Sequence, residues 1–233
     1  MKFYTIAPLI LQKCIWIPCR IVFTLFGHLE VRGLENLKGI KSNVIFATNH
    51  ASELDPFLVP TSLPFFSRFS PLFYITREKS FYDGNGWRQH LFGGLFINAW
   101  GGYSARTGLH DYHRSLVEHE QILRDGESFC VFPEGRRTPD GTLQPGKGGI
   151  TFLAEQGRVP IIPVGFSGTY HSPAKDFFRG RKHITVTFGV PIYQEELKRL
   201  VPRATVPGTN VYKEESAYVM KKIAEILDVQ SSA

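Results

Sequence analysis

The chain has 233 residues, of which 42% are hydrophobic and 13% aromatic, and this composition excludes the intrinsically disordered class. Because no linker-like stretch divides the sequence, we expect one domain with a single large core. Lysine and arginine total 27 against 21 acidic residues, so the net charge of +6 favours an anionic partner: a phospholipid headgroup, a phosphorylated small molecule or a nucleic acid.

The segment from Phe3 to Gly27 is the most lipid-like part of the chain. Lys13 and Arg20 interrupt it, and Pro8 and Pro18 are expected to bend a helix, so no apolar run approaches the ~20 residues that a spanning helix needs. We expect an amphipathic helix on the membrane surface, with its two cations at lipid phosphates; a helix packed on the protein core is the alternative. The side chains expected to enter the acyl region are Ile10, Leu11, Ile15, Trp16, Ile21, Val22 and Phe23.

Beyond this segment, short apolar stretches alternate with amphipathic ones. Strands are predicted at Asn43–Thr48, Leu72–Thr76, Ser128–Phe132, Val159–Val164 and Ile184–Phe188. Helices are predicted from Asp55-Pro56 onward, over Leu109–Arg124 and over Val211–Leu227. The alternation predicts an α/β fold in which helices cover both faces of a mostly mixed sheet. We assign residues 1–28 to the membrane-associating segment and residues 29–233 to this single domain.

The polar segment Asn49–Asp55 follows the first predicted strand, where catalytic residues of α/β folds collect. An imidazole titrates near neutral pH, so His50 is a candidate general base. On one continuous helix, residues five apart point about 140° away from each other. At a strand–turn–helix junction, however, Asp55 can fold back onto the ring of His50 and fix its tautomer. Alone, the pair is better explained as a turn histidine and an N-cap.

A second polar segment, Phe132–Gly141, follows another predicted strand. Its glycines allow unusual backbone angles, Thr138 offers a hydroxyl, and Arg136 and Arg137 are suited to bind phosphate bidentately. The alternative is a surface turn at Pro139–Gly141 with solvated arginines. Neither segment is decisive by itself.

Together, the two segments resemble conserved blocks of the lysophospholipid and glycerophosphate acyltransferase family. Asn49-His50 followed by Asp55 matches the family's first block, His-x4-Asp. Its third block is matched by Phe132-Pro133-Glu134-Gly135-x-Arg137-Thr138, and its fourth, an apolar strand between prolines, by Val159-Pro160-Ile161-Ile162-Pro163-Val164. The resemblance extends from about Leu29 to Gly168, in the family's order and approximate spacing.

The resemblance implies transfer of a fatty acyl group from a thioester of coenzyme A or acyl carrier protein to a lysophospholipid hydroxyl. The leading acceptor is 1-acylglycerol 3-phosphate, which would give phosphatidic acid; another lysophospholipid or an aminolipid is the alternative. His50 would deprotonate the hydroxyl and Asp55 would hold His50. The residues expected to bind substrate are Arg106, Glu134, Gly135, Arg136, Arg137, Thr138 and Pro163. Beyond the thioester substrate, no cofactor is expected, and no metal-binding motif occurs.

The family's second block is the least clear in this sequence. The family often shows an apolar strand that ends in arginine, whereas Phe96–Trp100 contains none. An alignment on Gly102–Gly108 makes Arg106 the phosphate-binding candidate, with a solvated loop arginine as the alternative. In the third block, Arg136 stands where the family usually has threonine, which adds a cation.

Other functions are less well supported. A non-catalytic lipid-binding module has no need of a base and its carboxylate partner, and Gly165–Thr169 lacks the second glycine of the Gly-x-Ser-x-Gly motif of serine hydrolases. No nucleic-acid-binding motif is present, so no nucleic-acid partner is expected.

The cysteine pattern indicates the compartment. Cys14, Cys19 and Cys130 form neither an even disulfide set nor a Cys-x-x-Cys pair, which favours a reducing setting. We therefore expect a peripheral membrane protein on the cytoplasmic face of the membrane, with membrane phospholipids, the lysophospholipid acceptor and the acyl thioester as its partners.

Overall fold

Seven strands form one sheet in the part of the chain that the computed structural model describes, which comprises residues 2–77, 95–106, 108–109, 111–170, 177–180, 182–201 and 210–231. The strands are β1 (Glu30–Arg32), β2 (Ile45–Thr48), β3 (Leu72–Thr76), β4 (Gly102–Ser104), β5 (Ser128–Val131), β6 (Ile161–Ser167) and β7 (Thr185–Phe188). The helices are α1 (Phe3–Gly27), α2 (Asp55–Ser62), α3 (Leu95–Trp100), α4 (Tyr112–Arg124), α5 (Gly149–Gly157), α6 (Gln194–Leu200) and α7 (Val211–Ser231), with a short 3-10 helix at Leu34–Leu37.

The strands lie in the order β1-β7-β6-β2-β5-β3-β4. β2 pairs in parallel with β5 and β6, and β3 pairs in parallel with β4 and β5. β7 runs antiparallel to β6 and parallel to β1. The predicted mixed sheet is therefore confirmed. Because β2, β3, β4, β5 and β6 are mutually parallel, their carboxyl ends meet along one edge, where ligands of open α/β sheets bind.

Both faces of the sheet are buried. Along β2, Phe46 belongs to a core shared with α1 and α2, whereas Ile45 and Ala47 belong to a core shared with α4, α5 and α7. All three side chains are fully buried. Continuous apolar strands of this kind are expected where helices cover both sides of a parallel sheet.

The predicted strands are confirmed, with ends that differ by no more than three residues. The sequence did not predict β1 and β4, which have only three residues each and too little pattern to recognise. Phe96–Trp100, which was compared with a family strand, lies in helix α3. Helix α4 begins three residues later than predicted, because Asp111 caps it by accepting a hydrogen bond from the Arg114 N–H at 3.2 Å.

Helix α1 is bound to the domain by polar side chains in its middle. Gln12 is buried, and its Nε2 donates to the carbonyls of Leu72 at 2.7 Å and Trp100 at 2.9 Å, while its Oε1 accepts from the Leu72 N–H at 2.9 Å. Arg20 donates to the carbonyl of Thr61 at 3.0 Å. These bonds fix α1 against the start of β3 and the end of α2.

The opposite face of α1 is exposed and apolar. Phe3, Ile10, Ile17, Ile21 and Leu25 recur at helical spacing and are between 51% and 91% exposed. Every exposed residue between the two ends of α1 is uncharged. The helix therefore turns its charged residues and Gln12 toward the domain and has an uncharged, mainly apolar outer face, unlike a helix on the surface of a soluble protein.

Three details of the predicted N-terminal segment were wrong. α1 is one continuous helix through both prolines, and with a mean hydropathy of 1.6 it is long and apolar enough, by length and composition, to span a membrane. Lys13 and Arg20 donate to carbonyls of the domain, so lipid phosphates are not their partners here. Of the seven side chains assigned to the membrane, Ile10 and Ile21 are exposed, and the others pack on the domain: Leu11, Ile15, Trp16, Val22 and Phe23.

His119 joins α4 to the edge of the sheet. Its ring is fully buried and its Nε2 lies 3.0 Å from the carbonyl oxygen of Tyr103, to which it donates. Among the described residues, Nδ1 has no hydrogen-bond partner. Burial lowers the pKa of His119 to about 4, although the hydrogen bond to Tyr103 opposes this shift.

We predict that His119 makes the fold sensitive to acid. Since its pKa is about 4 when folded and near 6.5 when unfolded, only the unfolded state takes up a proton as pH falls between these values. The free energy of unfolding should drop by up to about 3 kcal/mol between pH 7 and pH 4 from this residue alone. Urea denaturation of His119→Gln should show a flatter pH profile than the wild type, whereas His183→Gln, at an exposed histidine, should keep the wild-type slope.

Candidate active site

The segment between β2 and α2 holds the two residues that the sequence singled out. β2 ends at Thr48 and α2 begins at Asp55, so the predicted strand–turn–helix junction is confirmed. Asn49 anchors the start of this turn to β6, because its Nδ2 donates to the carbonyl of Phe166 at 2.9 Å and its Oδ1 accepts from the Phe166 N–H at 2.7 Å. His50 follows directly at the carboxyl edge of the sheet.

Asp55 and His50 are in direct contact. His50 Nδ1 lies 2.9 Å from Asp55 Oδ2, which also accepts from the N–H groups of Ala51 at 2.6 Å and Ser52 at 2.7 Å. The carboxyl group of Asp55 is fully buried, whereas the His50 side chain is 18% exposed. The network assigns the Nδ1 proton to the bond with Asp55, which leaves Nε2 able to accept a proton.

The polar segment after β5 holds the backbone of His50 from the other side. The His50 N–H donates to Glu134 Oε1 at 2.8 Å, and the His50 carbonyl accepts from the Thr138 N–H at 2.8 Å. Glu134 Oε2 accepts from the Gln144 N–H at 2.9 Å. The ring of His50 also stacks on Phe132, with centroids 4.1 Å apart. The first and third blocks therefore form one structural unit around His50.

Glu134 has a different position from the one that the resemblance implied. It is only 4% exposed, and both carboxylate oxygens are used by backbone N–H groups. Burial raises the pKa of Glu134, while the hydrogen bonds from Gln144 and His50 oppose the rise. The structure thus makes Glu134 a positioning residue for His50, and its predicted contact with the acceptor stays a prediction.

Gly135 has a backbone conformation that residues with a side chain rarely adopt. Its φ is +70°, and a Cβ there would stand 2.7 Å from Lys147 Nζ. Its carbonyl accepts a hydrogen bond from Arg77 Nη2 at 3.0 Å. Neither Arg77 nor Lys147 was among the site residues predicted from the sequence. The sequence contained a signal for Arg77, because this arginine directly follows the apolar strand β3. An apolar strand that ends in arginine is the pattern of the family's second block, which Phe96–Trp100 lacks.

The other predicted substrate-binding residues are distributed around this loop. Arg136 and Arg137 are exposed, and Arg137 pairs with Glu53 at 3.0 Å. The hydroxyl of Thr138 donates to Asp140 at 3.0 Å, so it supports the loop.

Pro163 and Arg106 are farther from His50. Pro163 is buried in β6 opposite Ala47, and its predicted contact with substrate stays a prediction. Arg106 is exposed and follows β4, three strands from β2 and thus about 14 Å away at normal strand spacing. Thr107, in the same alignment, lies outside the described residues.

An apolar groove of about 940 Å³ opens beside the His50 turn. One wall is the inner side of α1. The other walls include Ala51–Leu54 of the His50 turn, Arg137–Pro139 of the loop after β5, and Phe177 and Phe178 before β7. The lining residues are Ile15, Pro18, Cys19, Val22, Phe23, Ala51, Ser52, Glu53, Leu54, Phe57, Arg137, Thr138, Pro139, Thr169, Tyr170, Phe177 and Phe178. Polar groups thus stand at the mouth of an otherwise apolar cavity, the usual composition of a ligand site.

The geometry supports general-base chemistry on a lipid-like molecule. A partly exposed imidazole is oriented by a buried carboxylate, and cations and an apolar groove lie beside it. Among the described residues, no group of three or more histidine, cysteine or acidic side chains is arranged to hold a metal ion.

Comparison with known proteins identifies the family. The model of the family described as Acyltransferase matches residues 28–167, more than half of the chain. This chain belongs to the acyltransferase family. The match covers the His50 turn, the Glu134 loop and β6, whereas α1 and the phenylalanines before β7 lie outside it.

Several members of the acyltransferase family are similar in sequence. The 1-acyl-sn-glycerol-3-phosphate acyltransferase beta of Homo sapiens is 32% identical over 167 residues, which cover 70% of this chain and 56% of the human protein. The 1-acyl-sn-glycerol-3-phosphate acyltransferase of Limnanthes alba is 30% identical over 179 residues, covering 76% and 59% of the two chains. The chain therefore spans less than two thirds of the length of these relatives.

A solved structure shares the fold. The crystal structure of the 1-acyl-sn-glycerophosphate (LPA) acyltransferase PlsC from Thermotoga maritima superposes with a TM-score of 0.58 at 23% identity. The alignment covers 94% of this chain and 79% of that chain. The α/β architecture of this chain is thus shared with a known structure.

We predict that Glu134→Gln impairs the action of His50. A glutamine side chain offers one acceptor oxygen where the carboxylate offers two, so one of the two backbone N–H groups loses its partner. We expect kcat to fall by about 10- to 100-fold as His50 is displaced, with the KM for the acceptor little changed. Steady-state kinetics of thiol release tests this. An unchanged kcat with a raised acceptor KM would instead place Glu134 in the binding site, and Glu195→Gln on exposed α6 is the matched control.

Proposed function

We propose that this protein transfers a fatty acyl group from a thioester to the free hydroxyl of a lysophospholipid, with 1-acylglycerol 3-phosphate as the acceptor. The observation that carries the proposal is the His50–Asp55 contact in the turn whose residues Ala51 to Leu54 line an apolar groove. Two relatives that are named for this acceptor are 30% and 32% identical to the chain. The product would be phosphatidic acid.

In the proposed reaction, Nε2 of His50 takes the proton of the acceptor hydroxyl as its oxygen attacks the thioester carbonyl. The tetrahedral intermediate then collapses, the C–S bond breaks, and the leaving thiolate takes the proton back from His50. Asp55 stabilises the imidazolium between the two steps, while Glu134 and Thr138 keep the backbone of His50 in place. The acyl group passes directly to the acceptor, so no acyl-enzyme forms.

The cations beside His50 are suited to the acceptor's phosphate. Arg77 and Lys147 meet at Gly135, and the exposed Arg136 and Arg137 follow directly. Guanidinium groups bind phosphate through paired N–H donors. We propose that these four residues hold the phosphate while the free hydroxyl reaches His50. Coenzyme A and acyl carrier protein present the same thioester group, so this chemistry serves either donor.

The groove is suited to a fatty acyl chain. Ile15, Val22 and Phe23 of α1 form one wall, and Phe177 forms part of another. Burying each CH₂ group of a chain contributes about 0.8 kcal/mol. Because the same helix turns its outer face away from the domain, an acyl chain could enter along α1 from a membrane.

We predict that His50→Ala abolishes transfer and retains the fold. Loss of a general base typically lowers rates by about 10²- to 10⁴-fold. Thiol release from an acyl thioester in the presence of 1-acylglycerol 3-phosphate measures the loss, and His113→Ala, at a surface histidine, should keep wild-type rates. Equal rates for His50→Ala and the wild type would contradict the mechanism and favour a non-catalytic lipid-binding role.

We further propose that α1 rests on the membrane with its exposed apolar face in the lipid. The support is the stripe from Phe3 to Leu25, together with Phe66, which is 90% exposed, and Phe178, which packs beside Phe26 and is 58% exposed. Leaving so many large apolar side chains in water is unfavourable. Since Lys13 and Arg20 are used within the domain, the stripe itself provides the membrane contact. The cytoplasmic face is the one we propose.

We predict that Ile17→Asp combined with Ile21→Asp detaches the protein from membranes. Each isoleucine contributes about 1.5–3 kcal/mol when buried in lipid, so binding to phospholipid vesicles should weaken by at least about tenfold. Co-sedimentation with vesicles measures the effect. Val190→Asp changes a residue that is 70% exposed outside α1 and should bind like the wild type. Unaltered co-sedimentation of the double variant would show that the stripe is not the contact.

A further inference from the structure

Glu53 and Arg137 form an ion pair across the mouth of the groove. Arg137 Nη1 lies 3.0 Å from Glu53 Oε1, and the two residues are 84 positions apart in the sequence. Both side chains line the groove, and they are 52% and 51% exposed. The pair joins the turn that carries His50 to the loop that carries the cations.

The backbone on both sides of this pair is fixed. Next to Glu53, the Ser52 N–H donates to Asp55, and the Leu54 N–H donates to the Ser52 hydroxyl at 3.2 Å. Next to Arg137, the Thr138 N–H donates to the carbonyl of His50. Only the two side chains are therefore free to rearrange when a ligand arrives. An ion pair with this exposure contributes little to stability, so it is readily exchanged.

We propose that Glu53 is a specificity-determining residue that competes with the acceptor's phosphate for Arg137. The proposal rests on the proposed function, in which Arg137 binds that phosphate. Glu53 engages Arg137 through one N–H donor, whereas a phosphate monoester can engage two and carries more charge. The phosphate displaces the carboxylate, so breaking the Glu53–Arg137 pair offsets part of the binding free energy of the phosphate.

This competition ranks acceptors by headgroup. A terminal phosphate monoester is able to replace Glu53 on Arg137. A phosphate that is esterified to choline carries a single negative charge and lies next to a cation. Such a headgroup competes only weakly with Glu53 for Arg137. The carboxylate thus lowers the affinity for phosphate monoesters and has little effect on zwitterionic acceptors. Removal of the Glu53 charge should therefore raise the affinity for phosphate monoesters and leave the affinity for zwitterionic acceptors unchanged.

The test is Glu53→Gln, which keeps the size of the side chain and removes its charge. With 1-acylglycerol 3-phosphate as acceptor, KM should fall by about three- to tenfold with kcat within twofold of the wild type, since an exposed charge pair exerts a modest effect. With lysophosphatidylcholine, KM should not change. Calorimetric titration with glycerol 3-phosphate, which needs no turnover, should show a similar gain in affinity. Glu35→Gln, in the 3-10 helix, is the control.

Coupling to Arg137 separates competition from a structural effect. In an Arg137→Ala background, Glu53→Gln should leave both KM and the affinity for glycerol 3-phosphate unchanged. An unchanged or raised KM in the single variant, or an equal fall in both backgrounds, would overturn the proposal. If the wild type transfers no acyl group to any lysophospholipid, the proposed function fails. The titration still reports separately whether Glu53 opposes phosphate binding.

Discussion

The site depends on one buried carboxylate. Asp55 Oδ2 accepts from two backbone N–H groups of its own turn and faces Nδ1 of His50. A buried carboxylate is costly unless hydrogen bonds replace its water, and Oδ2 receives such bonds from Ala51 and Ser52, which lie in the turn before α2. The same bonds close the turn and orient the imidazole. Folding of this segment and preparation of the base are therefore one event.

A second carboxylate connects distant parts of the chain. Glu134 accepts one hydrogen bond from the N–H of His50, in the turn after β2, and another from the N–H of Gln144, in its own loop. The two segments meet because β2 and β5 are parallel neighbours, with Phe46 opposite Cys130, so their carboxyl ends emerge side by side. The geometry of His50 is thus fixed by sheet pairing and backbone contacts, while the side chains of Arg136 and Arg137 in the same loop are exposed.

Helix α1 combines two functions that ordinarily need separate elements. Its inner side supplies Gln12 to the start of β3 and apolar residues to the groove. Its outer side exposes an apolar stripe that ends near Leu25. Since the polar residues of α1 are satisfied within the domain, the helix gains nothing from facing water. An acyl chain that leaves a bilayer would meet the groove without crossing bulk solvent.

The sequence by itself determined the local features of this protein. Apolar strands, the Asp55-Pro56 helix start and the five-residue separation of His50 from Asp55 depend on neighbours along the chain, and the structure has them where they were predicted. The family also followed from sequence, because several short blocks in a fixed order are specific even when each alone is not.

Only the tertiary structure decided which side chains meet. It buried Pro163 in the sheet, turned Glu134 toward the backbone of His50, and brought Arg77 and Lys147 together at Gly135. It also reversed the expected orientation of α1, since the partners of its polar side chains are carbonyls about 40 to 90 residues away in the chain. Such contacts follow from strand order and helix docking. Periodicity along the chain carries no information about either, because it records which residues share a face and not what that face contacts.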